Sequence, residues 1–460
     1  MNPIKAMLQA VICGLLLITI LTPWSTQAVG TDTWHNVYEP NTSNNNFKFN
    51  NTWPYVNTRL WENGNQHIDL NISKVSIRTL TGSFSGKIYA HVMPWFDGNN
   101  PSKHLLPGYH SADPAVVDRQ ISDMISRGLD GVIINWYGQG TYADQTTLVW
   151  RDRILARGLG NRFVLSIMID KGALSGCSTD CTSRLNRHIR DYIIPTYENR
   201  MGSAYMRDGA GRPIIYFFDV QQNYPSIDWA SVRYWASSRS GVSDHIFMYE
   251  GSAGLDPTRV PAEQADGAFA WIDVNTTSYS YLRWWYGLSR NGRISIGSAY
   301  KGFDDAPVLW GPGGIRRFVD QRCGQTWLDS FKALREAPTA ATALQLNTWN
   351  DYEEGTALEI GIDNCLSAIN ISRSGSTVSW TLSWNGGSSS TIHHVTVWAR
   401  AANTSTMYNC SGDLPTSVAS YNLANCALPA GTYQIYVQAV GQPFIKNKLS
   451  PVPSPVSYTR

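Results

Sequence analysis

The segment Thr348-Trp349-Asn350-Asp351-Tyr352-Glu353-Glu354-Gly355 carries three acids beside an indole and an amide. Asp351 and Glu354 stand three residues apart. A carboxyl pair of this kind suits proton transfer at an acetal oxygen, with one group kept protonated as acid and the other ionised as base or nucleophile. An acidic triplet in isolation reads as a solvated loop or a cap. This one directly follows an apolar run, and other chemistry-bearing residues stand in the same relation to other runs. His91 and Trp95 lie near the end of KIYAHVMPWF (87–96), and Asn135, Trp136 and Tyr137 end GVIINWYG (131–138). Asp170 and Lys171 follow RFVLSIMI, Asp219 ends PIIYFFD (213–219), and Glu250 ends HIFMYEG (245–251). Trp271 and Asp273 end GAFAWID (267–273), while Tyr300 ends ISIGSAY (294–300) and Lys301 and Asp304 follow it. Carboxylates and flat rings are what a sugar ring and a glycosidic oxygen call for.

The elements that must position these residues are eight in number. The runs above, with RFVLSIMID (162–170) and ALQLNTWNDY (343–352), have strand length and β-branched or aromatic content. Helical stretches separate most of them. The clearest are PAVVDRQISDMISRG, with Pro114 near its start, and GGIRRFVDQRCGQTWLDSFKALREA before the last run. Repeated βα units predict an α/β fold, a (β/α)8 TIM barrel over 87–364, with a doubly wound open sheet as the competing topology. In a barrel the strand C-termini form the active-site face, which gathers the residues just named. Beyond Cys365 the texture changes to alternating runs such as TVSWTLSW and GTYQIYVQAV between Gly/Ser/Asn turns, predicting an antiparallel β-sandwich of the fibronectin or immunoglobulin kind over 365–460.

The first residues hold Lys5, the apolar run AVICGLLLITIL and small residues at Thr26 and Ala28, which predicts a secretory signal peptide over 1–28. The run is shorter than the ~20 residues of a membrane span. Residues 29–86 are expected to form an N-terminal extension packing on the barrel. Export to an oxidising compartment, extracellular or periplasmic, makes Cys177, Cys181, Cys323, Cys365, Cys410 and Cys426 disulfide candidates. Proximity favours 177–181, 323–365 and 410–426, although six cysteines allow about fifteen pairings. Sequons at Asn41, Asn50, Asn71, Asn275, Asn370, Asn403 and Asn409 would be surface sites in a glycosylating host.

The segment TWNDYEEGTALE (348–359) resembles the strand-eight motif of the glycoside hydrolase family 71 and family 99 group. Family 71 holds endo-α-1,3-glucanases with Trp-Asn-Asp-Tyr-Gly-Glu, and family 99 holds endo-α-mannosidases with Asn-Glu-Trp-x-Glu-Gly-Thr. IYAHVMPWF resembles both, and GYHSADPAVVDRQISDMISRGLDGVIINWYG resembles the family 99-like opening, where Gly-Tyr-x-Ser-x-Asp-Pro leads into the first helix. The resemblance implies that Asp351 and Glu354 are the catalytic carboxylates, Glu354 as acid/base and Asp351 as second acid. In family 99 that second acid assists attack by the sugar's own 2-hydroxyl, whereas family 71 inverts. Here Asp351 stands where family 99 has Glu, and Glu353 where family 71 has Gly. The activity implied is internal cleavage of an α-linked polysaccharide, endo-α-1,3-glucanase-like first and endo-α-mannosidase-like or α-mannanase-like second.

His91, Trp95, Tyr109, His110, Asn135, Trp136 and Tyr137 are expected to line the subsites, each with ordinary barrel packing as its alternative. Asp170, Asp219, Glu250 and Asp273 are sited for sugar hydroxyls or for pairing with an Arg. Trp271, Tyr300, Trp349, Asn350 and Glu353 complete the expected lining. The charged share is 16% and the formal net charge +2, which excludes an electrostatically driven partner such as nucleic acid. Eighteen Trp and 23 Tyr favour a saccharide. GQGTYA (138–143) matches a dinucleotide-binding pattern, but it follows the second run rather than the first and reads as a tight turn. No Gly-x-Ser-x-Gly elbow, Walker loop or His-Glu-x-x-His helix occurs. The expected protein is a monomer that takes polysaccharide or oligosaccharide, needs no metal or cofactor, and leaves the membrane after signal cleavage. A non-catalytic carbohydrate-binding barrel is the rival of another class. A lyase acting on uronic acids would want a basic cleft, and these strand ends are acidic.

Overall fold

The computed structural model describes residues 59–63, 66–69, 72–97, 109–241, 244–274, 278–305, 317–402, 404, 406–451 and 456–460. The expected signal peptide, most of the N-terminal extension and the sequons at Asn41, Asn50, Asn71, Asn275 and Asn403 lie outside them. Asn370 and Asn409 are exposed.

Eight parallel strands close into a barrel: β1 Lys87–Val92, β2 Gly131–Trp136, β3 Val164–Asp170, β4 Ile214–Phe218, β5 Ile246–Glu250, β6 Gly267–Phe269, β7 Ile294–Ala299 and β8 Ala343–Leu346. The seam is sealed where Leu346 of β8 pairs with Ala90 of β1 on one side and Ala299 of β7 on the other. Strand parity explains the near-continuous apolar runs, because both faces are buried. Tyr89, Ile133, Met168, Tyr216, Met248, Phe269 and Ile296 fill the interior. Ile88, Val132, Leu165, Ile167, Ile215 and Phe247 face the surrounding helices. The chain is therefore a (β/α)8 TIM barrel followed by an antiparallel sandwich.

Helix α1, Pro114–Ser126, starts where Asp113 accepts the Ala115 N–H and Pro114 occupies the first turn. Helix α2, Tyr142–Ala156, is capped by Thr141. It follows the Gly138–Gly140 turn, where both glycines have positive φ, 112° and 78°. The dinucleotide-like pattern is thus a tight βα turn. The helix expected over the segment before β8 is shorter than its pattern. Phe318–Val319 pairs as a short strand with Phe303–Asp304, and the helix itself is Gln325–Glu336. Cys323 and Gly324 sit at φ 52° and 89° and break the helical path, and Cys323 is bonded to Cys365.

The sandwich comprises β9 Leu366–Ser374, β10 Thr377–Trp384, β11 Ile392–Ala401, β12 Met407–Asn409, β13 Ser420–Asn422, β14 Thr432–Gly441, β15 Lys448–Leu449 and β16 Val456–Thr459. One sheet runs β9-β10-β13 and the other β12-β11-β14-β15, with β16 also on β14. Their inner faces share a core of Ile369, Val378, Trp380, Val395, Val397, Ile435 and Val437. The disulfides are 177–181, 323–365 and 410–426.

The sandwich also reaches into the barrel. Phe444 and Ile445, on the β14–β15 connection, belong to the same buried cluster as Trp327, Trp349 and Ile362. The Trp327 indole N–H donates to the Pro443 carbonyl at 2.9 Å, and the Ile362 N–H to the Phe444 carbonyl at 2.9 Å. Ahead of β1, Ile77, Leu80 and Phe84 pack into the barrel cluster, whereas Ile68, on the hairpin Arg59–Asn63/Gln66–Asp69, packs with Trp398, Met407 and Tyr436 of the sandwich. The described residues ahead of β1 thus touch both the barrel and the sandwich.

Candidate active site

The last strand is shorter than its apolar run because the chain leaves the ladder at Asn347 and turns back on itself. The Thr356 N–H donates to the Asp351 carbonyl at 3.0 Å, and the Leu358 and Glu359 N–H groups converge on the Trp349 carbonyl at 2.9 Å each. The Trp349 N–H donates to the His91 carbonyl at 2.7 Å, which fastens the turn to β1. Asn350 completes the fastening: its Oδ1 accepts the Met93 N–H at 2.8 Å and its Nδ2 donates to the Met93 carbonyl at 2.9 Å. The polar atoms of Asn350 are thereby spent on positioning.

Asp351 is fully buried. Its Oδ1 accepts the Glu353 and Glu354 N–H groups at 3.1 and 3.0 Å, and its own N–H donates to Thr348 Oγ1 at 2.8 Å. Its Oδ2 is buried with no protein partner. Burial, then the charges of Glu354 and Glu353, push the Asp351 carboxyl well above the usual carboxylate range, against the two N–H groups that favour its anion. Glu354 is only partly buried. Desolvation raises it to about 7, with the Arg317 cation opposing and Asp305 and Glu353 adding to the rise. Arg317 and Asp305 are ion-paired at 2.6 Å. Neither was singled out from the sequence; what could have found them is their position on the strand-seven side of the barrel mouth.

Across the barrel mouth, parity sends His91, Asn135, Tyr137, Asp170, Phe218, Glu250 and Trp271 inward. Tyr137 joins the two sides, since its phenol is raised by burial first and then by the charges of Asp170, Asp351, Glu354 and Glu353. Asn135 Nδ2 donates to the Tyr137 oxygen at 2.8 Å and to Asp170 Oδ2 at 3.3 Å. Asp170 also accepts the Gly172 N–H at 2.7 Å, and desolvation raises it to about 6. Glu250 accepts the Asp219 N–H at 3.1 Å; desolvation, then the Asp219 charge, raise it to about 8. Lys171 pairs with Asp219 at 2.7 Å. Trp271 meets His91 edge-on at 4.8 Å and Phe218 at 5.0 Å. Trp95 lies tilted against Tyr137 at 6.0 Å, and Glu353 is buried beside Asp351.

Several expected residues are placed elsewhere. Trp136 has the opposite parity to Asn135: its ring stacks on Tyr192 and its N–H donates to Asp144, so it faces the helices. Trp349 packs against Phe444. Tyr300 is wholly buried in the barrel cluster and takes the Asp273 backbone N–H on its oxygen. His110 is exposed, with Nδ1 2.7 Å from the Asp97 carbonyl. Tyr109 is buried and donates to Glu359, which also takes the Tyr352 hydroxyl and Gln120 Nε2. Glu359, unnoticed in the sequence, is the hub of a scaffold network behind the turn. Asp273 is half-buried. Lys301 is buried, with Nζ 3.4 Å from the Gly361 carbonyl.

No family model and no curated protein matches this chain. Among solved structures, the chain is similar to the family 99 endo-α-mannosidase of Bacteroides thetaiotaomicron, at 19% identity and a TM-score of 0.46, over 59% of this chain and 87% of that one. It is similar to a glycoside hydrolase-like protein at 11% identity and a TM-score of 0.48, over 65% and 89% of the two chains. It is also similar to a family 5 glycoside hydrolase of Bacteroides vulgatus at 9% identity and a TM-score of 0.36, over 76% and 88%.

Proposed function

We propose that this protein is an exported glycoside hydrolase that cuts α-linked polysaccharide internally with Asp351 and Glu354. In this reading 87–364 is the catalytic barrel and 365–460 an accessory sandwich that braces it. The observation that carries it is the pair itself. Two carboxyl groups share one turn at the active-site end of β8, and their environments differ. Glu354, partly open to solvent and raised to about 7, keeps a proton near neutrality to give to the departing glycosidic oxygen. Asp351 presents the unpartnered Oδ2 while its Oδ1 is held by two N–H groups. In its ionised form, which the two N–H groups favour against the burial that raises it, Asp351 takes the proton of the attacking hydroxyl on Oδ2, whether of water or of the sugar.

Tyr137 and Trp95 supply a ring wall and His91 a neutral imidazole, since burial lowers it to about 3. Three disulfides, with no helix among the described residues long and apolar enough to cross a membrane, support export. The Trp-Asn-Asp-Tyr run favours an α-1,3-glucan as substrate. A second reading, an α-mannan, is favoured by Glu354-Gly355-Thr356, whose Thr356 N–H and hydroxyl both bind the Asp351 carbonyl.

The test is product analysis of residues 29–460 on α-glucans, α-mannans and β-glucan controls. Oligosaccharides from one α-linked polymer, absent with Glu354→Gln, are expected. Cleavage that persists in Glu354→Gln would overturn the assignment.

A further inference from the structure

The wall opposite the catalytic pair has a composition of its own. Asp170 of β3 pairs in register with Phe218 of β4, and the Phe217–Tyr249 pairing places Glu250 of β5 on the far side of Phe218. Two carboxylates thus flank one ring, and that ring continues edge-on into Trp271 and then His91. Lys171 is the cation acting on Asp170, Asp219 and Glu250, and Asp219 already holds it at 2.7 Å.

Buried acceptors accumulate beside them. Asn135 gives both its donor contacts to Tyr137 and Asp170, while its Oδ1, on a residue only 3% exposed, has no protein partner. The neutral ring of His91, a residue at 0% exposure, likewise has both nitrogens unpartnered, one of them an acceptor and the other an N–H. Burying acceptors without donors is costly, and so is gathering three carboxylates around the single cation of Lys171.

We propose that this wall is an ammonium-binding subsite, so that the saccharide seated over Phe218 and Trp271 carries a free amino group. An ammonium brings three N–H donors for the carboxylates and the Asn135 oxygen, a charge to offset theirs, and attraction to the ring faces. A neutral hydroxyl brings one donor and no charge. A uronate is repelled. The proposal rests on the hydrolase reading for the position of the scissile bond, but recognition of the amine is read by binding alone.

The experiment is calorimetric titration of the full chain with D-glucosamine, N-acetyl-D-glucosamine and D-glucose at about pH 7, where Asp170, raised to about 6, is mostly ionised and a bound ammonium draws Glu250, raised to about 8, toward its anion. D-glucosamine is expected to bind about tenfold more tightly than either neutral sugar. Asp170→Asn and Glu250→Gln should each bring that preference below about threefold, whereas Glu354→Gln should keep it. Asp170→Asn retains an acceptor for the Gly172 N–H, and circular dichroism checks that both variants are folded. Equal affinities for the three sugars, heat from none of them, or a preference unchanged in both folded variants overturns the proposal. If D-glucosamine is preferred but no α-linked polymer is cleaved, the hydrolase reading fails and the subsite is supported. If a neutral polymer is cleaved with no amine preference, the reverse holds.

Discussion

The Glu354 N–H donates to Asp351 Oδ1 at 3.0 Å, so the backbone of one member of the pair orients the carboxylate of the other. The Glu353 N–H reaches the same oxygen at 3.1 Å. This leaves Asp351 Oδ2 without a protein partner. The turn can survive any substitution that keeps an acceptor at Oδ1, so chemistry and folding can be separated experimentally.

Asp351→Asn and Glu354→Gln are therefore expected to fold normally and to lose about 10²–10⁴-fold in turnover, with KM little changed. Steady-state kinetics with a melting curve on each variant checks this. A variant within about threefold of the parent would remove that residue from the mechanism.

Glu354 must be protonated to act as acid, so kcat should fall as pH rises through about 7. The Arg317 cation holds Glu354 down, and Arg317 also neutralises Asp305. Arg317→Met should therefore move the alkaline limb upward, by about one pH unit. The pH–rate profiles of the two proteins decide it; a limb that stays or moves down contradicts the assignment of Glu354.

Glu250 is raised to about 8 in the folded protein from an ordinary value near 4.5. The folded state therefore binds more protons than the unfolded one between those values, and Glu250 lowers stability progressively as pH rises across them. Glu250→Gln removes that loss. Its unfolding free energy at about pH 8 should exceed the parent's by on the order of 1 kcal/mol after solvent screening, and denaturation curves at several pH values should show the gap closing near pH 5.

Behind the turn, Tyr109 donates to Glu359, which also holds Tyr352 and Gln120. Tyr109→Phe removes one donor from a buried carboxylate and should cost about 1–3 kcal/mol. Chemical denaturation measures it, and a neutral result would show that Glu359 is satisfied without Tyr109.

Phe444 carries the support of the sandwich into the barrel beside Trp349 and Trp327. Phe444→Ala should cost about 3–5 kcal/mol and, by loosening Trp349, lower kcat. Unchanged activity in a destabilised variant would mean that the brace serves stability alone.

The barrel was legible in the sequence because a strand buried on both faces must be apolar along its length, and eight such runs leave few topologies. The carboxyl pair was legible because its residues are adjacent in the chain and follow the last of those runs. The alternation of the sandwich strands was equally plain. Parity at each strand's end was not, since a run apolar on both faces does not say which residue points inward. Trp136 and Asn135 are neighbours in sequence and both read as lining, yet one ring faces the helices and the other side chain faces the mouth. Tyr109 and Asn350 showed the right chemistry for a sugar and are spent on Glu359 and Met93, partners about 250 residues away in the chain. Residue types and local order were thus determined by the sequence alone. Which polar groups remained unpaired, and which carboxylates desolvation raised, was decided by tertiary contacts between distant segments, because burial and hydrogen-bond satisfaction exist only once those segments meet.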